Sequence, residues 1–279
     1  MLIESTANPK IKQYVKLRDS KKARRELSMA VIEGARFCSD ALAQEKRGKL
    51  KIICVFATEQ ALDRYSDYID RALFDNVSSG KYFMISQAVA DKISDTGNTQ
   101  GVFAVAQTWD VPFTVEALSG GGRYVVLDNL QDPGNIGTIL RTADALGLDG
   151  AVLANRCCEL YNPKLLRSTM GSIFRIPIYM ADDLKTAAEI MHGAGIKLYA
   201  AVVDENAVPL GSFMFKEGSA VVIGNEGSGL SVSDADICDE RITIHMRGNA
   251  ESLNAASAAA IILWEMSKHE YDVYRKIQR

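Results

Sequence analysis

Two irregular segments flank a short apolar run near the C-terminus, and they constrain the fold more than any other feature of the chain. The first is the glycine-rich segment 224–230 (GNEGSGL), the second is 251–260 (ESLNAASAAA), and RITIHM lies between them. The alternating apolar pattern of RITIHM predicts a strand. We therefore expect both segments to emerge at one edge of a sheet, where α/β proteins build ligand sites.

A third element, 135–147 (NIGTILRTADALG), has the pattern of an amphipathic helix. Its apolar residues recur at helical spacing, and they are Ile136, Ile139, Leu140, Ala143 and Leu146. Pro133 and Gly134 come just before, so Asn135 is predicted to be the N-cap. Arg141 falls on a face adjacent to the apolar one, where its side chain can point into a site.

In this order and at these separations, the three segments resemble the three signature motifs of the SpoU family of RNA ribose 2'-O-methyltransferases, which belongs to the SPOUT superfamily. The resemblance requires all three motifs together and covers roughly the C-terminal three-fifths of the chain. It implies a C-terminal SPOUT domain with a deep trefoil knot, a homodimer formed through the final helix, and S-adenosyl-L-methionine as cofactor. Independently, apolar runs alternate with helical stretches from Arg123 onward, which predicts an α/β fold with a mainly parallel sheet.

The resemblance also implies a set of catalytic and positioning residues, namely Asn135, Arg141, Glu226, Ser252 and Asn254. Arg141 matches the family's essential arginine, and two roles are open to it. It either accepts the hydroxyl proton in a specially arranged site, or it stays charged, binds a phosphate and stabilises the developing alkoxide. From its position, Ser252 is also predicted to cap the long helix that follows.

Cofactor binding in the family relies mainly on backbone groups. The matching positions and their neighbours are Ala200, Ala201, Val202, Gly224, Asn225, Ile244, Met246 and Leu253. His245 stands where the family usually has proline; its presence either loosens the loop or places a titratable group near the cofactor, and we favour the first. The glycine spacing in 224–230 is not GxGxxG, which argues against a nucleotide-binding oxidoreductase.

The N-terminal part predicts a separate, small α/β module, with strands in the apolar runs 51–58, 81–85 and 101–107. It resembles the N-terminal substrate-binding domain of SpoU enzymes, which is similar to a ribosomal-protein RNA-binding fold. The resemblance rests on Asn8, Lys16, Arg25, Glu33 and Gly34. We expect an RNA-binding domain at 1–107, a linker at 108–122 that contains Pro112 and three consecutive glycines, and the SPOUT domain at 123–279.

Charge is distributed unevenly along the chain. Residues 1–50 contain 12 Lys and Arg against 6 Asp and Glu, although the whole chain has a formal charge of -3. A basic arm suits RNA docking because phosphate attraction is local, with a Debye length of about 8 Å. Charge alone equally fits a solvated amphipathic helix. With the resemblance, the predicted RNA-binding residues are Asn8, Lys16, Arg25, Lys164 and Arg167.

The sequence therefore predicts a methyltransferase that modifies a ribose 2'-hydroxyl in RNA, with ribosomal RNA favoured over tRNA. The alternative is a non-catalytic RNA-binding protein of the same fold. The chain lacks an apolar run of the roughly 20 residues that cross a bilayer and lacks a signal-peptide pattern, so we expect a cytoplasmic protein without a membrane partner. Five cysteines and three histidines without ligand spacing predict free thiols and no metal site.

Overall fold

Two sheets organise the chain, one in each of two units. The computed structural model describes residues 2–75 and 80–277. The first unit consists of Met1–Trp109 and Glu159–Phe174, and the second of Asp110–Cys158 and Arg175–Arg279. Residues 159–174 thus lie in the first unit, although the sequence predicts that they belong to the region 123–279.

The secondary structure alternates between helices and strands throughout. In chain order, the N-terminal part contains β1 (Leu2–Ile3), α1 (Pro9–Asp19), α2 (Lys21–Leu27), β2 (Met29–Glu33), α3 (Ala35–Lys46), β3 (Ile52–Ala57), α4 (Glu59–Arg64), α5 (Ala72–Asp75), β4 (Tyr82–Ile85), α6 (Gln87–Ile93) and β5 (Val102–Gln107). It is followed by β6 (Arg123–Asp128), α7 (Pro133–Ala145), β7 (Gly150–Ala154), α8 (Pro163–Ser168), β8 (Ile178–Met180), α9 (Leu184–Gly193), β9 (Lys197–Ala201), β10 (Val208–Pro209), β11 (Ser219–Ile223), α10 (Val232–Ala235), β12 (Glu240–Thr243) and α11 (Ala255–Ile277).

The sheet of the first unit is mixed, in the order β1-β4-β3-β5-β2. Strand β5 runs antiparallel to β2 and β3, whereas β4 runs parallel to β1 and β3. The three predicted N-terminal strands are confirmed as β3, β4 and β5, while β1 and β2 were not predicted. In the core, the buried Tyr14 ring meets Phe56 and Phe103 edge to face, with centroids 6.2 and 5.7 Å away. These aromatic side chains hold α1 on the sheet.

A buried ion pair ties segment 159–174 into the first unit. The Arg24 guanidinium donates to both carboxylate oxygens of Glu159, at 2.9 and 2.6 Å, and the two side chains are only 5% and 11% exposed. The remaining Nη1 of Arg24 donates to the carbonyl oxygens of Leu17 and Arg18. Because every nitrogen of the guanidinium has an acceptor, the desolvated charge is compensated.

The sheet of the second unit has the order β10-β12-β9-β11-β6-β7-β8, and every pairing in it is parallel. This confirms the predicted α/β fold with a mainly parallel sheet. All residues of the central strand β11 are buried, and its runs of Val and Ile fit a strand covered on both faces. Parallel strands present their carboxyl ends at the same side, so the loops after β6, β9, β11 and β12 share one edge of this sheet.

The structure corrects two predicted helix caps. Helix α7 begins at Pro133, and its N-cap is Asp132, whose Oδ1 accepts from the amides of Gly134 and Asn135. Asn135 lies within the first turn and is not the cap. Helix α11 begins at Ala255, and the Oδ1 of Asn254 accepts from the amides of Ala256 and Ser257. Ser252 lies too far before the helix to reach these amides, so Asn254 takes the predicted capping role of Ser252.

All five cysteines are free thiols, as predicted. Burial raises the pKa of Cys54 to about 11 and those of Cys157 and Cys238 to about 12, so these thiols are uncharged at neutral pH. None of the helices within the described ranges combines the length and apolar composition that a bilayer crossing requires. Among the same residues, no cluster of three or more His, Cys, Asp or Glu is arranged to hold a metal ion.

Candidate active site

A cavity of about 430 Å³ opens at the carboxyl edge of the parallel sheet. Its walls come from segments 201–204, 223–232 and 241–246 and from the start of α11. The side chains inside are largely apolar and include Val203, Ile223, Ile244, Met246 and Leu253. This volume lies within the roughly 300–1,000 Å³ of small-molecule sites, and the combination of apolar side chains with loop backbone is typical of them.

The glycine loop turns back on itself at the mouth of the cavity. A Cβ at Gly224 would lie 2.5 Å from both the carbonyl carbon of Gly229 and the nitrogen of Leu230, so only glycine permits this close approach. The amide of Gly229 donates to the carbonyl oxygen of Asn225 at 2.9 Å and closes the turn. The Asn225 side chain accepts from Gly227 and donates to the carbonyl oxygen of Asn129, both at 2.9 Å. Its contacts therefore shape the loop.

The carboxylate of Glu226 reaches from the glycine loop to the start of α7. It accepts from the backbone amides of Asp132 at 2.9 Å and Gln131 at 3.1 Å, and from the Nδ2 of Asn135 at 3.2 Å. Partial burial acts to raise the pKa of Glu226, but the hydrogen bonds from the two backbone amides and from Asn135 outweigh it and lower the pKa. Glu226 is thus ionised at neutral pH and is occupied as an acceptor of hydrogen bonds.

Asn135 joins Glu226 to the third loop. Its Oδ1 accepts a hydrogen bond from the Nδ2 of Asn254 at 3.0 Å, while its Nδ2 donates to Glu226. One residue from each of the three sequence motifs therefore belongs to a single chain of hydrogen bonds. We call Glu226, Asn135 and Asn254 the motif triad. With one ionised carboxylate and two amides, it is suited to holding the loops around a ligand.

The structure places most of the predicted cofactor residues at the cavity. Those that line it are Ala201, Val202, Gly224, Asn225, Ile244, Met246 and Leu253, together with the predicted catalytic residues Glu226 and Ser252. Ala200 is buried within β9, where it pairs with Val222 and Arg241 in the neighbouring strands. The roles assigned to these residues remain predictions.

Arg141 lies six residues beyond Asn135 on α7, which corresponds to about 9 Å along the helix axis. Its side chain is exposed and lies away from the lining of the cavity. Within residues 2–75 and 80–277, Arg141 makes no ion pair or side-chain hydrogen bond. A guanidinium in this state keeps all five donors available for a phosphate or another anionic partner.

The predicted RNA-binding residues all lie in the first unit and differ in their surroundings. Lys16, Arg25 and Lys164 are exposed. The Asn8 side chain caps α1 by accepting from the amide of Lys10 at 2.9 Å. Arg167 is paired with Asp95 at 2.6 Å and lies 3.6 Å from Glu33.

The sequence did not predict that residues 128–132 support the motif triad through hydrogen bonds from their backbone amides to Glu226. Asn129 has a left-handed backbone with φ of 56°, and its Oδ1 accepts from the Nε2 of Gln131 at 2.9 Å. This conformation turns the amides of Gln131 and Asp132 toward Glu226. Asp128 is buried beneath the turn, and burial raises the pKa of its carboxyl despite a hydrogen bond from Asn155. The run DNLQDPG, rich in turn-forming residues, was the available signal.

Two family models match the chain. The model of the SpoU rRNA Methylase family matches residues 122–264, and that of the MRM3-like substrate binding domain matches residues 8–104. The first match contains the whole motif triad and the cavity, and the second covers the basic N-terminal region.

Relatives are similar over nearly the whole chain. The 23S rRNA (guanosine(2553)-2'-O)-methyltransferase RlmP from Bacillus subtilis (strain 168) is 31% identical over 264 residues, which cover 95% of this chain and 98% of that protein. The AdoMet-bound rRNA methyltransferase from Sinorhizobium meliloti has a crystal structure that superimposes with a TM-score of 0.82 at 28% identity, over 96% of this chain and 98% of the other. The SpoU methyltransferase AviRb from Streptomyces viridochromogenes gives a TM-score of 0.79 at 26% identity, over 95% and 98%.

Proposed function

Because this chain belongs to the SpoU rRNA Methylase family, we propose that it transfers a methyl group from S-adenosyl-L-methionine to a ribose 2'-hydroxyl of ribosomal RNA. The observation that carries the proposal is the motif triad, which gathers Glu226, Asn135 and Asn254 beside a cavity of about 430 Å³. The relatives named above from Bacillus subtilis and Sinorhizobium meliloti are rRNA methyltransferases, and on this basis we favour rRNA over tRNA.

The cavity has the properties that S-adenosylmethionine requires. Exposed apolar side chains at its rim, Val203 and Val232, are 72% and 71% accessible and offer surface that a bound ring system would cover. The loop backbone around Gly224 and the segment from Ile244 to Met246 offer peptide groups to the polar atoms of the ligand. When bound, S-adenosylmethionine would supply an electrophilic methyl group on its sulfonium and leave as S-adenosylhomocysteine, while the hydroxyl proton would pass to solvent. The predicted cofactor residues would hold it in this cavity.

The side chains of this protein would position the 2'-oxygen and stabilise the charge that develops on it. We assign this electrostatic task to Arg141, because its guanidinium is exposed and its fork of donors matches a phosphate and an alkoxide. Glu226, Asn135 and Asn254 act through loop geometry, since their polar atoms already bond to one another. Ser252, at the cavity wall, would contact the ligand or the ribose.

The N-terminal region 1–107 would bind the RNA, and the region 123–279 would carry out the transfer. The family-model match at 8–104 supports this assignment. Of the predicted contacts, Lys16 and Arg25 in region 1–107 and Lys164 outside it have exposed charges that can reach phosphates. Neutralising each should therefore reduce the salt dependence of RNA binding. The similarity of this region to a ribosomal-protein fold is part of the same proposal.

Three further features belong to the proposal. We expect a homodimer through α11, whose Ile261 and Trp264 side chains are 43% and 50% exposed and form an apolar face. We expect the deep trefoil knot that the resemblance implies, with the cavity at its loops. An rRNA substrate also favours a cytoplasmic location.

The decisive experiment is transfer of labelled methyl from S-adenosylmethionine to total RNA from cells that lack this gene, followed by separation of ribosomal RNA and tRNA. We expect label in rRNA, at one linkage that resists alkaline hydrolysis. Arg141→Ala should abolish transfer while cofactor affinity is retained. Label confined to tRNA would overturn the substrate assignment, and a folded, cofactor-binding protein that labels neither fraction would indicate the non-catalytic alternative.

A further inference from the structure

The first unit contains a second cavity, of about 250 Å³, that the proposed methyl transfer does not use. It lies between the start of α3, the loop 94–101 and the end of α8. Gly34, Arg36 and Phe37 form one side, Asn98 and Gln100 the second, and Met170 the third. All of these residues belong to the first unit, so the cavity is a property of that unit alone.

The loop that forms one wall is held in place without any ligand. The Glu33 carboxylate accepts from the Ser94 hydroxyl at 2.5 Å, from the Asp95 amide at 3.1 Å and from the Thr96 hydroxyl at 3.1 Å. Arg167 adds an ion pair with Asp95 at 2.6 Å. A wall fixed by this many bonds loses little freedom when a ligand binds, which favours affinity.

The polar edge of the cavity is provided by Gln100. Its Oε1 accepts from the amide of Ala35 at 2.8 Å, which fixes the orientation of the side-chain amide. Glycine suits position 34 for two reasons. Its φ is 111°, which residues with a side chain rarely adopt, and a Cβ there would lie only 3.2 Å from the Gln100 Oε1. The Nε2 of Gln100 has no hydrogen-bond partner among the residues that the structure describes. Gln100 is exposed and lines the cavity, so this amide is available as a donor to a ligand there.

The other walls are apolar and include a strained residue. Phe37 is 8% exposed and contributes an aromatic ring, while Met170 is 50% exposed. Met170 also has a φ of 50°, which a non-glycine residue adopts at an energetic cost. A flexible, polarisable methionine and an aromatic ring in one lining are well suited to covering a flat ligand.

The charges that line the cavity balance, so they do not favour a phosphate inside it. Glu33 and Asp40 oppose Arg36 and Arg167, and the guanidinium of Arg167 is already paired with Asp95. The volume is below the roughly 300–1,000 Å³ of sites for larger small molecules, so it suits a single ring system. A neutral, flat heterocycle with hydrogen-bonding edges matches these properties. In RNA, that group is a nucleobase.

We propose that this cavity binds one unstacked base of the RNA substrate, with Phe37 and Met170 against its faces and Gln100 hydrogen-bonded to its edge. Specific RNA recognition generally targets such splayed bases through aromatic contacts and edge hydrogen bonds. Arg36 lies at the mouth, exposed and without an ion pair in the described ranges, and would bind an adjoining phosphate. The inference rests on the proposed function for the presence of RNA, and it specifies how that RNA is held.

The test uses the full-length protein and unmodified 23S rRNA transcribed in vitro. Gln100→Leu should weaken RNA binding and raise the KM for RNA roughly fivefold to tenfold, with kcat and cofactor affinity unchanged. The slope of log Kd against log salt should stay the same, because no phosphate contact is lost. Arg36→Gln should instead reduce that slope by about one. Gln60→Leu, which removes an exposed glutamine from α4, is the matched control and should bind like the wild type.

Ultraviolet crosslinking of the wild-type complex gives a second readout that does not depend on a variant folding. We expect a nucleotide adduct on the peptide that contains Phe37 or on the one that contains Met170. Wild-type methyl transfer without such an adduct, together with unchanged binding by Gln100→Leu, would overturn the base-binding proposal and leave the proposed function intact. The adduct without methyl transfer would support the base site and count against the enzymatic function.

Discussion

The side-chain amide of Asn254 donates to the Oδ1 of Asn135 at 3.0 Å, although the two residues are 119 positions apart in the chain. The Nδ2 of Asn135 donates in turn to Glu226 at 3.2 Å. Asn135 is thus the central member of the motif triad, and both polar atoms of its side chain are in use. The geometry of the loops beside the cavity depends on this one amide.

Replacing the central amide should uncouple the three loops. We expect Asn135→Ala to lower the free energy of unfolding by about 1 kcal/mol, since two partly exposed hydrogen bonds are lost. The rate of methyl transfer should fall by a larger factor than this loss of stability would produce, because the loops lose their alignment. Urea unfolding and initial rates measure the two effects. Asn249→Ala, at an exposed asparagine, is the control. In combination with Asn254→Ala, the losses should be less than additive because the two residues share a hydrogen bond; strict additivity would argue against the coupling.

The contribution of Glu226 to stability should depend on pH. Its hydrogen bonds lower the pKa of Glu226 below the usual 4.5. The stabilisation that the carboxylate gives to the folded state is therefore complete above pH 4.5 and is lost as the pH falls through the lowered pKa. The difference in unfolding free energy between wild type and Glu226→Gln should therefore be constant from about pH 6 to 8 and shrink below about pH 4.5. Denaturant titrations at several pH values measure it. A difference that grows toward acid pH would contradict the assigned hydrogen bonds.

The glycine loop should tolerate a methyl group at one position and reject it at another. Gly224→Ala places a Cβ 2.5 Å from backbone atoms of Gly229 and Leu230, so the loop must move and cofactor affinity should fall by at least about tenfold. Gly227→Ala is the matched control: apart from its chain neighbours, the nearest atom to its Cβ in the described part of the chain is the Asn225 Oδ1 at 3.6 Å, an ordinary contact distance. Calorimetric titration with S-adenosylmethionine measures both variants. Equal affinities would show that the close approach at Gly224 is unimportant.

The buried ion pair of the first unit should matter much more than an exposed one. Glu159→Gln leaves the Arg24 guanidinium buried with a neutral partner, and we expect a loss of about 3–5 kcal/mol in unfolding free energy. Glu26→Gln removes the exposed Lys22–Glu26 pair, whose side chains are 84% and 57% accessible, and should cost less than about 0.5 kcal/mol. Similar losses in the two variants would mean that the 159–174 segment is not held through Glu159.

Elements with strong local patterns were predicted well. Four residues of the predicted apolar stripe of α7 are confirmed, since Ile136, Ile139, Leu140 and Ala143 are all buried, whereas Leu146 is the C-cap and only partly buried. The predicted parallel sheet is confirmed by the pairings of its central strands. It could be predicted because these strands are short and mostly apolar. The caps of α7 and α11 were predicted wrongly, although an Asp immediately before Pro133 was a usable signal: proline favours the first helical position and aspartate the cap.

The sequence by itself determined the family, the alternation of strands and helices, and the identities of the residues in the motif triad. These depend on local spacing, which is written directly in the order of the residues. Only the tertiary structure decided that Glu226 accepts from Asn135 across 91 positions, that segment 159–174 belongs to the first unit, and that Gln100 faces a cavity beside Gly34. Such contacts depend on strand order and loop conformation. Local periodicity does not encode them, because the energy that selects them comes from packing the whole chain.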